Sequence, residues 1–182
     1  MSSTFAFEAT AVSLGLLVLR LVVGLSMAAH GSQKVFGWFG GYGLEGTGGF
    51  FEMLGFKPGK AFAFMAGATE MLSGALIALG LLGPVGPALM LSVMIVAALT
   101  VHLKNGYFAQ ANGVEVTVLF GVAAIALAFT GFGAFSIDAI SGFDMVFSAT
   151  EAAIALGLGV IGAAGNLLLR RPPPATTSAA TQ

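Results

Sequence analysis

Long runs of apolar residues dominate the chain, and polar side chains are concentrated between these runs. The runs cover about residues 11–29, 61–82, 85–103, 114–132 and 145–169. Each approaches or exceeds the roughly 18–20 residues that a helix needs to cross a bilayer. Because the bilayer core offers no water to backbone N–H and C=O groups, each run is predicted to be a helix. The pattern therefore predicts an all-α fold, a polytopic transmembrane helical bundle.

Composition supports a membrane protein and excludes several classes of function. Of the 182 residues, 57% are hydrophobic and only 8% are charged, whereas soluble domains contain about a quarter charged residues. The net charge of −1 leaves no basic surface for nucleic acid. The chain has no cysteine, so a disulfide or a thiolate nucleophile is excluded. Any thiol or sulfur chemistry must occur on a partner or on a bound small molecule.

The basic residues predict how the helices are oriented. If all five runs cross with the N-terminus outside, Arg20 is the only Lys or Arg that is not cytoplasmic. Basic residues favour the cytoplasmic side, so we expect an outside N-terminus and a cytoplasmic C-terminus. A fifth run that did not cross would leave Arg170 and Arg171 outside. Residues 172–182 are rich in Pro and small polar residues, which predicts a disordered cytoplasmic tail.

Two further segments have patterns typical of membrane bundles. Residues 32–60 are rich in Gly and aromatic residues, and residues 47–54 are predicted to form a short helix at the membrane interface. In the fifth run, the small residues Ala155, Gly159 and Ala163 are spaced by four. This spacing indicates a face for helix packing or oligomerisation.

Arg20 lies within the first apolar run, and Glu70 is the only acidic residue in the second. A charged side chain in the membrane costs about 2.5 kcal/mol or more and usually faces a partner inside the bundle. Counted from the assumed cytoplasmic ends of the two runs, Arg20 and Glu70 lie at similar depths. Each also shares a face with small residues at i and i+4 spacing. We therefore expect an Arg20–Glu70 ion pair, either as a structural contact or as part of a polar cavity for a quinone, a proton or a small ligand.

A second group of polar residues is predicted at the cytoplasmic ends of the helices. The candidates for a polar pocket are His30, Gln33, Lys34, His102, Asn105 and Glu115. Two His and a carboxylate are possible metal ligands, and two His are possible axial ligands of a haem. Because no recognisable ligand spacing accompanies them, neither a metal nor a haem is expected.

Four stretches of the sequence resemble the successive signatures of the DoxX family of small bacterial and archaeal membrane proteins. They are LRLVVGLSMAAHGSQKVFGWFGG, GLEGTGGFFEMLG, AGATEMLSGALIALGLL and TVHLKNGYF. The resemblance extends from about residue 17 to GAFSIDAI at residues 133–140. It implies a four-helix core within residues 1–140. The fifth apolar run departs from this family core and is expected to form an additional transmembrane helix in residues 141–171. The resemblance also implies a bacterial or archaeal cytoplasmic membrane.

The resemblance implies a redox context rather than a defined reaction. Some members are linked to thiosulfate oxidation with electrons delivered to quinone. Others are linked to membrane complexes with thiol-handling and superoxide-detoxifying enzymes. The positions that match the family pattern, and at which a shared site is expected, are Arg20, His30, Lys34, Glu70, His102 and Asn105.

Three functions remain open at the level of sequence. The first is a redox-associated subunit that binds quinone, with an unknown cofactor or a partner enzyme supplying electrons. The second is a small-molecule transporter, and the third is a membrane scaffold for soluble oxidoreductases. No self-contained catalytic constellation is recognisable, so enzymatic activity of the chain itself is not predicted. The expected partners are the lipid bilayer and either another protein or further copies of the chain.

Overall fold

The computed structural model describes residues 2–171, and the side chains of residues 8–144 and 147–171. Seven α-helices and no β-strand occur in this described range, which confirms the all-α prediction. The helices are α1 Ser2–Phe36, α2 Gly43–Met53, α3 Gly59–Leu79, α4 Val85–Ala97, α5 Glu115–Thr130, α6 Ile137–Ser141 and α7 Ala149–Leu168. The predicted tail at residues 172–182 lies outside the described residues.

Four of the helical segments are long and apolar enough to span a membrane. They are Glu8–Phe36, Gly59–Leu79, Val85–Asn105 and Ala149–Leu168. The last of these corresponds to the predicted fifth apolar run. The chain is therefore a multi-pass membrane protein with a helical bundle.

The fourth apolar run forms a shorter helix than the sequence pattern predicts. Helix α5 has 16 residues and is therefore about 24 Å long, less than the roughly 30 Å of a hydrocarbon core. Beyond Gly131 the chain turns and packs alongside α1, where Phe132 and Ser136 are buried. A non-helical backbone is tolerated at such a place only if the protein satisfies its polar groups. This turn, residues 131–136, is called the turn segment below.

Glycine and alanine residues bring α1 and α3 into close backbone contact. A Cβ atom on Gly24 would lie 2.5 Å from the carbonyl oxygen of Gly74, and one on Gly74 would lie 2.4 Å from that of Gly24. Further along, a Cβ on Gly31 would lie 2.4 Å from the carbonyl oxygen of Gly67. Small residues allow such approaches between membrane helices. These contacts determine the register of the antiparallel α1–α3 pair.

Helix α7 packs along α4, so the C-terminal helix is an integral part of the bundle. A Cβ on Gly159 would lie 2.5 Å from the carbonyl oxygen of Ala88, and Ala163 is fully buried. The small-residue face predicted in the fifth run is therefore used for packing within the chain. Ser148 caps the start of α7, and Glu151 completes the capping box by accepting a hydrogen bond from the backbone N–H of Ser148 at 3.0 Å.

Helix α2 lies against the first turn of α3, in the region where a short helix was expected. A Cβ on Gly59 would lie 2.1 Å from the carbonyl oxygen of Gly48, so the two backbones touch at these positions. Lys60 and Glu45 form an exposed ion pair at 2.5 Å. At the end of α7, the Nε atom of Arg170 donates to the carbonyl oxygen of Leu54 at 2.6 Å. Thus α2 and the loop after it are attached to both α3 and α7.

We predict that the Gly74→Ala substitution destabilises the bundle, because the added methyl group would overlap backbone atoms of α1. Overpacking of this kind costs about 1–3 kcal/mol. The matched control is Gly157→Ala on α7, where an added Cβ meets no atom within 4 Å. The control is expected to be neutral or slightly stabilising, because alanine is the better helix former. Unfolding in detergent, followed by circular dichroism, compares the two variants, and equal unfolding free energies would contradict the assigned packing.

Candidate functional site

A large cavity lies at the end of the bundle that carries the lysines. This end, called the basic end, contains Lys34, Lys57, Lys60, Lys104 and Arg170. The opposite, acidic end contains Asp138, Asp144 and Glu151. The cavity, called the basic-end cavity, has a volume of about 1060 Å³ and is bounded by α1, α2, α3, α4 and α7. Its size is at the upper end of the roughly 300–1,000 Å³ typical of small-molecule sites.

The walls of the basic-end cavity are largely apolar, with a few polar groups among them. The apolar lining includes Phe50, Phe51, Phe56, Phe62, Met65, Val93 and Val96. The polar lining includes Gln33, Lys34, Thr69, Glu70, Ser92, Thr100, His102, Asn112 and Asn166. Apolar walls with a small number of polar groups are typical of sites for lipophilic ligands.

An ion pair between Lys34 and Glu70 lies deep in this cavity. The Nζ atom of Lys34 is 2.5 Å from the Oε2 atom of Glu70. Glu70 lies about 16 Å along α3 from Gly59, the first residue of that helix. The Glu70 side chain is 5% exposed and that of Lys34 is 27% exposed, so Lys34 is the more accessible of the two. A helical side chain leans toward the N-terminus of its helix, which directs Lys34 toward the level of Glu70.

The predicted Arg20–Glu70 ion pair is wrong. Arg20 contacts the carbonyl oxygen of Ala78. Glu70 lies at the level of Gly31, because Gly67 and Met71, which precede and follow Glu70 on α3, both contact the position of Gly31. From residue 20 to residue 31, α1 rises by about 16 Å, too far for a hydrogen-bonded pair. The sequence estimate assumed that α1 ends near residue 29, but the helix continues to Phe36. The close-packed glycines therefore place Arg20 about three turns away from Glu70.

Arg20 instead satisfies backbone carbonyl groups near the acidic end. Its side chain is buried, with 2% of the residue exposed. The Nη1 atom donates to the carbonyl oxygen of Ala78 at 2.9 Å, and Nη2 donates to that of Phe135 in the turn segment. Nε has no hydrogen-bond partner among the described residues. Nearby, the backbone N–H of Ala134 donates to the hydroxyl oxygen of Ser13 on α1 at 3.2 Å. The guanidinium thus has a structural role that joins α1, α3 and the turn segment.

Asp138 has the complementary role at the same end of the bundle. Its carboxylate accepts hydrogen bonds from the backbone N–H groups of Leu82 and Gly83, at 2.9 and 2.6 Å. Its own backbone N–H donates to the carbonyl oxygen of Gly80 at 3.0 Å. These bonds attach the tight turn between α3 and α4 to helix α6. Sequence reasoning assigned no contact to Asp138 and missed this one.

His102, Asn105 and Glu115 mainly organise the loop between α4 and α5. The Nδ1 atom of His102 and the carbonyl oxygen of Asn112 are 2.9 Å apart, and the side-chain amide of Asn105 donates to the same oxygen at 3.1 Å. Glu115 accepts a hydrogen bond from the backbone N–H of Ala109 at 2.7 Å. Of these three candidates, His102 also lines the basic-end cavity.

A π-helical turn at the end of α4 brings His102 to the cavity. This turn spans Ala98–His102 and is followed by a 3-10 turn at Leu103–Asn105. A π-turn rotates the following residues relative to a regular α-helix, and such turns are frequent at functional sites. Thr100, Val101 and His102 all line the cavity as a result.

The remaining candidates divide between the cavity and other surfaces. Gln33 lines the cavity and its side-chain amide donates to the carbonyl oxygen of Phe39 at 3.1 Å. His30 is exposed and lies edge-on to Phe120 of α5, with ring centroids 5.9 Å apart, so it belongs to a different face of α1. Among the described residues, no group of three or more His, Asp or Glu side chains is close enough to hold a metal ion.

The described lining of the basic-end cavity stops short of the acidic end. It extends to Glu70 on α3 and to Leu89 on α4, and it includes none of Asp138, Asp144 and Glu151. Met27, Ile77, Met90 and Leu127 are almost completely buried and form one cluster. Ser73, one turn beyond Glu70 on α3, is also fully buried. The described lining of this cavity and that of a second cavity, of about 540 Å³ at the acidic end, share no residue.

Several lining residues were missed because their sequence context is not distinctive. Asn166 is the only amide within the fifth apolar run, and that isolation was an available signal. The cavity phenylalanines carried no such signal, because the chain has 16 phenylalanines and most apolar positions in a membrane helix face lipid. Their role depends on the position of α2, which only the fold specifies.

Comparison with known proteins gives a consistent family assignment. The model of the DoxX family matches residues 15–103, from α1 to the π-helical end of α4. The chain is 31% identical over 118 residues to a Bacillus subtilis (strain 168) protein named "Putative oxidoreductase CatD". That alignment covers 65% of this chain and 80% of the relative. No solved structure matches the chain significantly.

We predict that Lys34 and Glu70 are energetically coupled, whereas Arg20 and Glu70 are not. In a double-mutant cycle with Lys34→Met and Glu70→Gln, the coupling energy is expected to be about 0.5–3 kcal/mol, as for contacting residues. The cycle with Arg20→Met and Glu70→Gln is the matched control and should be additive within about 0.5 kcal/mol. Unfolding free energies in detergent provide the measurement. Coupling confined to the Arg20 cycle would show that the observed pairing is incorrect.

Proposed function

Because this chain belongs to the DoxX family, we propose that it is the membrane subunit of a redox system. In this proposal it binds a lipid-soluble carrier of the quinone type in the basic-end cavity. The observation that carries the proposal is the cavity itself, with its aromatic and aliphatic walls and the Lys34–Glu70 pair. A quinone ring would pack against the phenylalanines, and a carbonyl oxygen would accept a hydrogen bond from Lys34.

The proposal assigns electron transfer to a partner enzyme. The chain has no cysteine, and its described residues contain no candidate metal cluster. The name of the Bacillus subtilis relative points to an oxidoreductase, which supports a redox role for the system to which this chain belongs. In this role the chain would present the carrier at the membrane, and a partner would exchange electrons with it at the basic end.

The orientation inferred from the basic residues is part of the same proposal. With Lys34, Lys57, Lys60, Lys104 and the two terminal arginines on the cytoplasmic side, the cavity would face the cytoplasm. A soluble partner enzyme would then approach from that side of a bacterial or archaeal cytoplasmic membrane. A transport role has less support, because the described lining of the cavity does not extend to the acidic-end residues Asp138, Asp144 and Glu151.

We predict that purified protein retains quinone, and that Val96→Trp removes it. Val96 lines the cavity, so a tryptophan there would occupy the volume needed by a ring. The matched control is Leu99→Trp on the same helix, where the leucine is 51% exposed and does not line the cavity.

Lipid extraction and mass spectrometry give the amount of quinone per protein for the three forms. Wild type and Leu99→Trp should retain similar amounts, and Val96→Trp should lose about tenfold or more. Size-exclusion profiles and helical content of each variant establish that it is folded. The proposal would be abandoned if the amount of quinone matched that of bulk lipid in all three proteins.

A further inference from the structure

The basic-end cavity contains a balanced pair of opposite charges. Among its described lining residues, Lys34 is the only Lys or Arg and Glu70 is the only Asp or Glu. The two charges are in contact at 2.5 Å, so the cavity presents almost no net charge to a ligand. A ligand with a net charge would have to lose its hydration without gaining an uncompensated counter-ion.

Lys34 is the member of the pair that a ligand can reach. Its side chain is 27% exposed, whereas that of Glu70 is 5% exposed. A lysine ammonium has three N–H donors, and Glu70 uses one of them. The remaining donors are available to an acceptor oxygen within the cavity. Glu70 also lines the cavity but is nearly buried, and a carboxylate offers a ligand no hydrogen-bond donor.

The apolar part of the cavity follows one face of α4. The lining residues of that helix extend from Leu89 to His102, a rise of about 20 Å. Between these positions the walls are formed by Val93 and Val96 and by phenylalanines of α2 and α3. An elongated apolar body therefore fits this space with a polar group near Lys34.

We propose that Glu70 is a specificity-determining residue that makes the cavity selective for uncharged amphiphiles with an acceptor oxygen. This inference rests on the part of the proposed function that places a ligand in the cavity. An uncharged ligand accepts a hydrogen bond from Lys34 and leaves the ion pair intact. An anionic ligand brings a second negative charge next to the buried carboxylate, which is unfavourable. Removing the charge of Glu70 leaves Lys34 without a counter-ion and converts the cavity into a site for anions.

The test uses brominated dodecanol and brominated dodecane sulfonate, which have the same chain and differ in head-group charge. Bromine quenches tryptophan fluorescence on contact, and the chain has a single tryptophan, Trp38. A reporter protein carries Trp38→Phe and Phe62→Trp, which moves the fluorophore to the cavity wall. A second reporter carries Trp38→Phe and Leu158→Trp, at a leucine on α7 that is 62% exposed. Both reporters are placed in nanodiscs of the same lipid composition. The second reporter measures the quenching that comes from the surrounding bilayer.

In the Phe62→Trp reporter, the alcohol should quench at lower concentration than the sulfonate, after correction by the Leu158→Trp reporter. Adding Glu70→Gln should reverse this preference, with a gain of about tenfold for the sulfonate. Glu70→Asp is the matched control, because it retains the charge and should retain the preference for the alcohol. If Glu70→Gln does not fold, Lys34→Met provides the second variant. It should weaken binding of the alcohol, because the side-chain N–H donors are lost, and should give no gain for the sulfonate.

The outcomes separate this inference from the proposed function. An unchanged order of the two ligands in Glu70→Gln, or a stronger sulfonate signal in wild type, would overturn the role of Glu70. Retention of quinone by wild type would still support the proposed function in that case. Binding of the alcohol with the expected reversal, but without retained quinone, would support the selectivity and contradict the quinone proposal. Quenching that is equal in the two reporters for every ligand would overturn both.

Discussion

The structure depends on a single constraint: inside an apolar environment, every backbone polar group needs a partner from the protein itself. Helices meet this constraint along their length, but α5 ends before the bundle does. The chain continues as the turn segment beside α1, and its carbonyl groups require donors. Arg20 provides one such donor to Phe135, and a second N–H group of the same side chain reaches Ala78. A costly buried cation is therefore explained by the backbone that it satisfies.

The same requirement accounts for Asp138. Like Arg20, Asp138 bonds to backbone groups, so both residues have structural roles. Asp138 accepts two backbone N–H bonds from the turn between α3 and α4. With Arg20 it stabilises the acidic end of the bundle, where a smaller cavity of about 540 Å³ lies beside Asp138 and the turn segment. The basic end differs, because Lys34 and Glu70 pair with each other beside the larger cavity, whereas Arg20 and Asp138 bond to backbone groups. This difference is the basis for placing a ligand at the basic end.

Three features of the tertiary structure together form the cavity. Close packing of α1 on α3 brings Lys34 to Glu70. The π-helical turn of α4 directs His102 and its neighbours to the same space. Helix α2 covers this space and is attached to α7 through Arg170 and the carbonyl oxygen of Leu54. Helix α7 lies beyond the matched family region. It contributes a wall residue, Asn166, and Arg170 just after its end provides the attachment to α2.

The sequence by itself determined the helical class, four of the five predicted spans, the short helix after α1 and the packing face of the fifth run, because hydrophobic length and periodicity are local properties. It also identified Arg20, Lys34 and Glu70 as candidates, but it did not predict the backbone contacts of Asp138 in α6. Only the tertiary structure decided which charges meet. Glycine contacts between α1 and α3 set a register in which Glu70 pairs with Lys34 and Arg20 bonds to carbonyl groups. A different register would bring other side chains together, and neither hydropathy nor spacing along one helix contains this information.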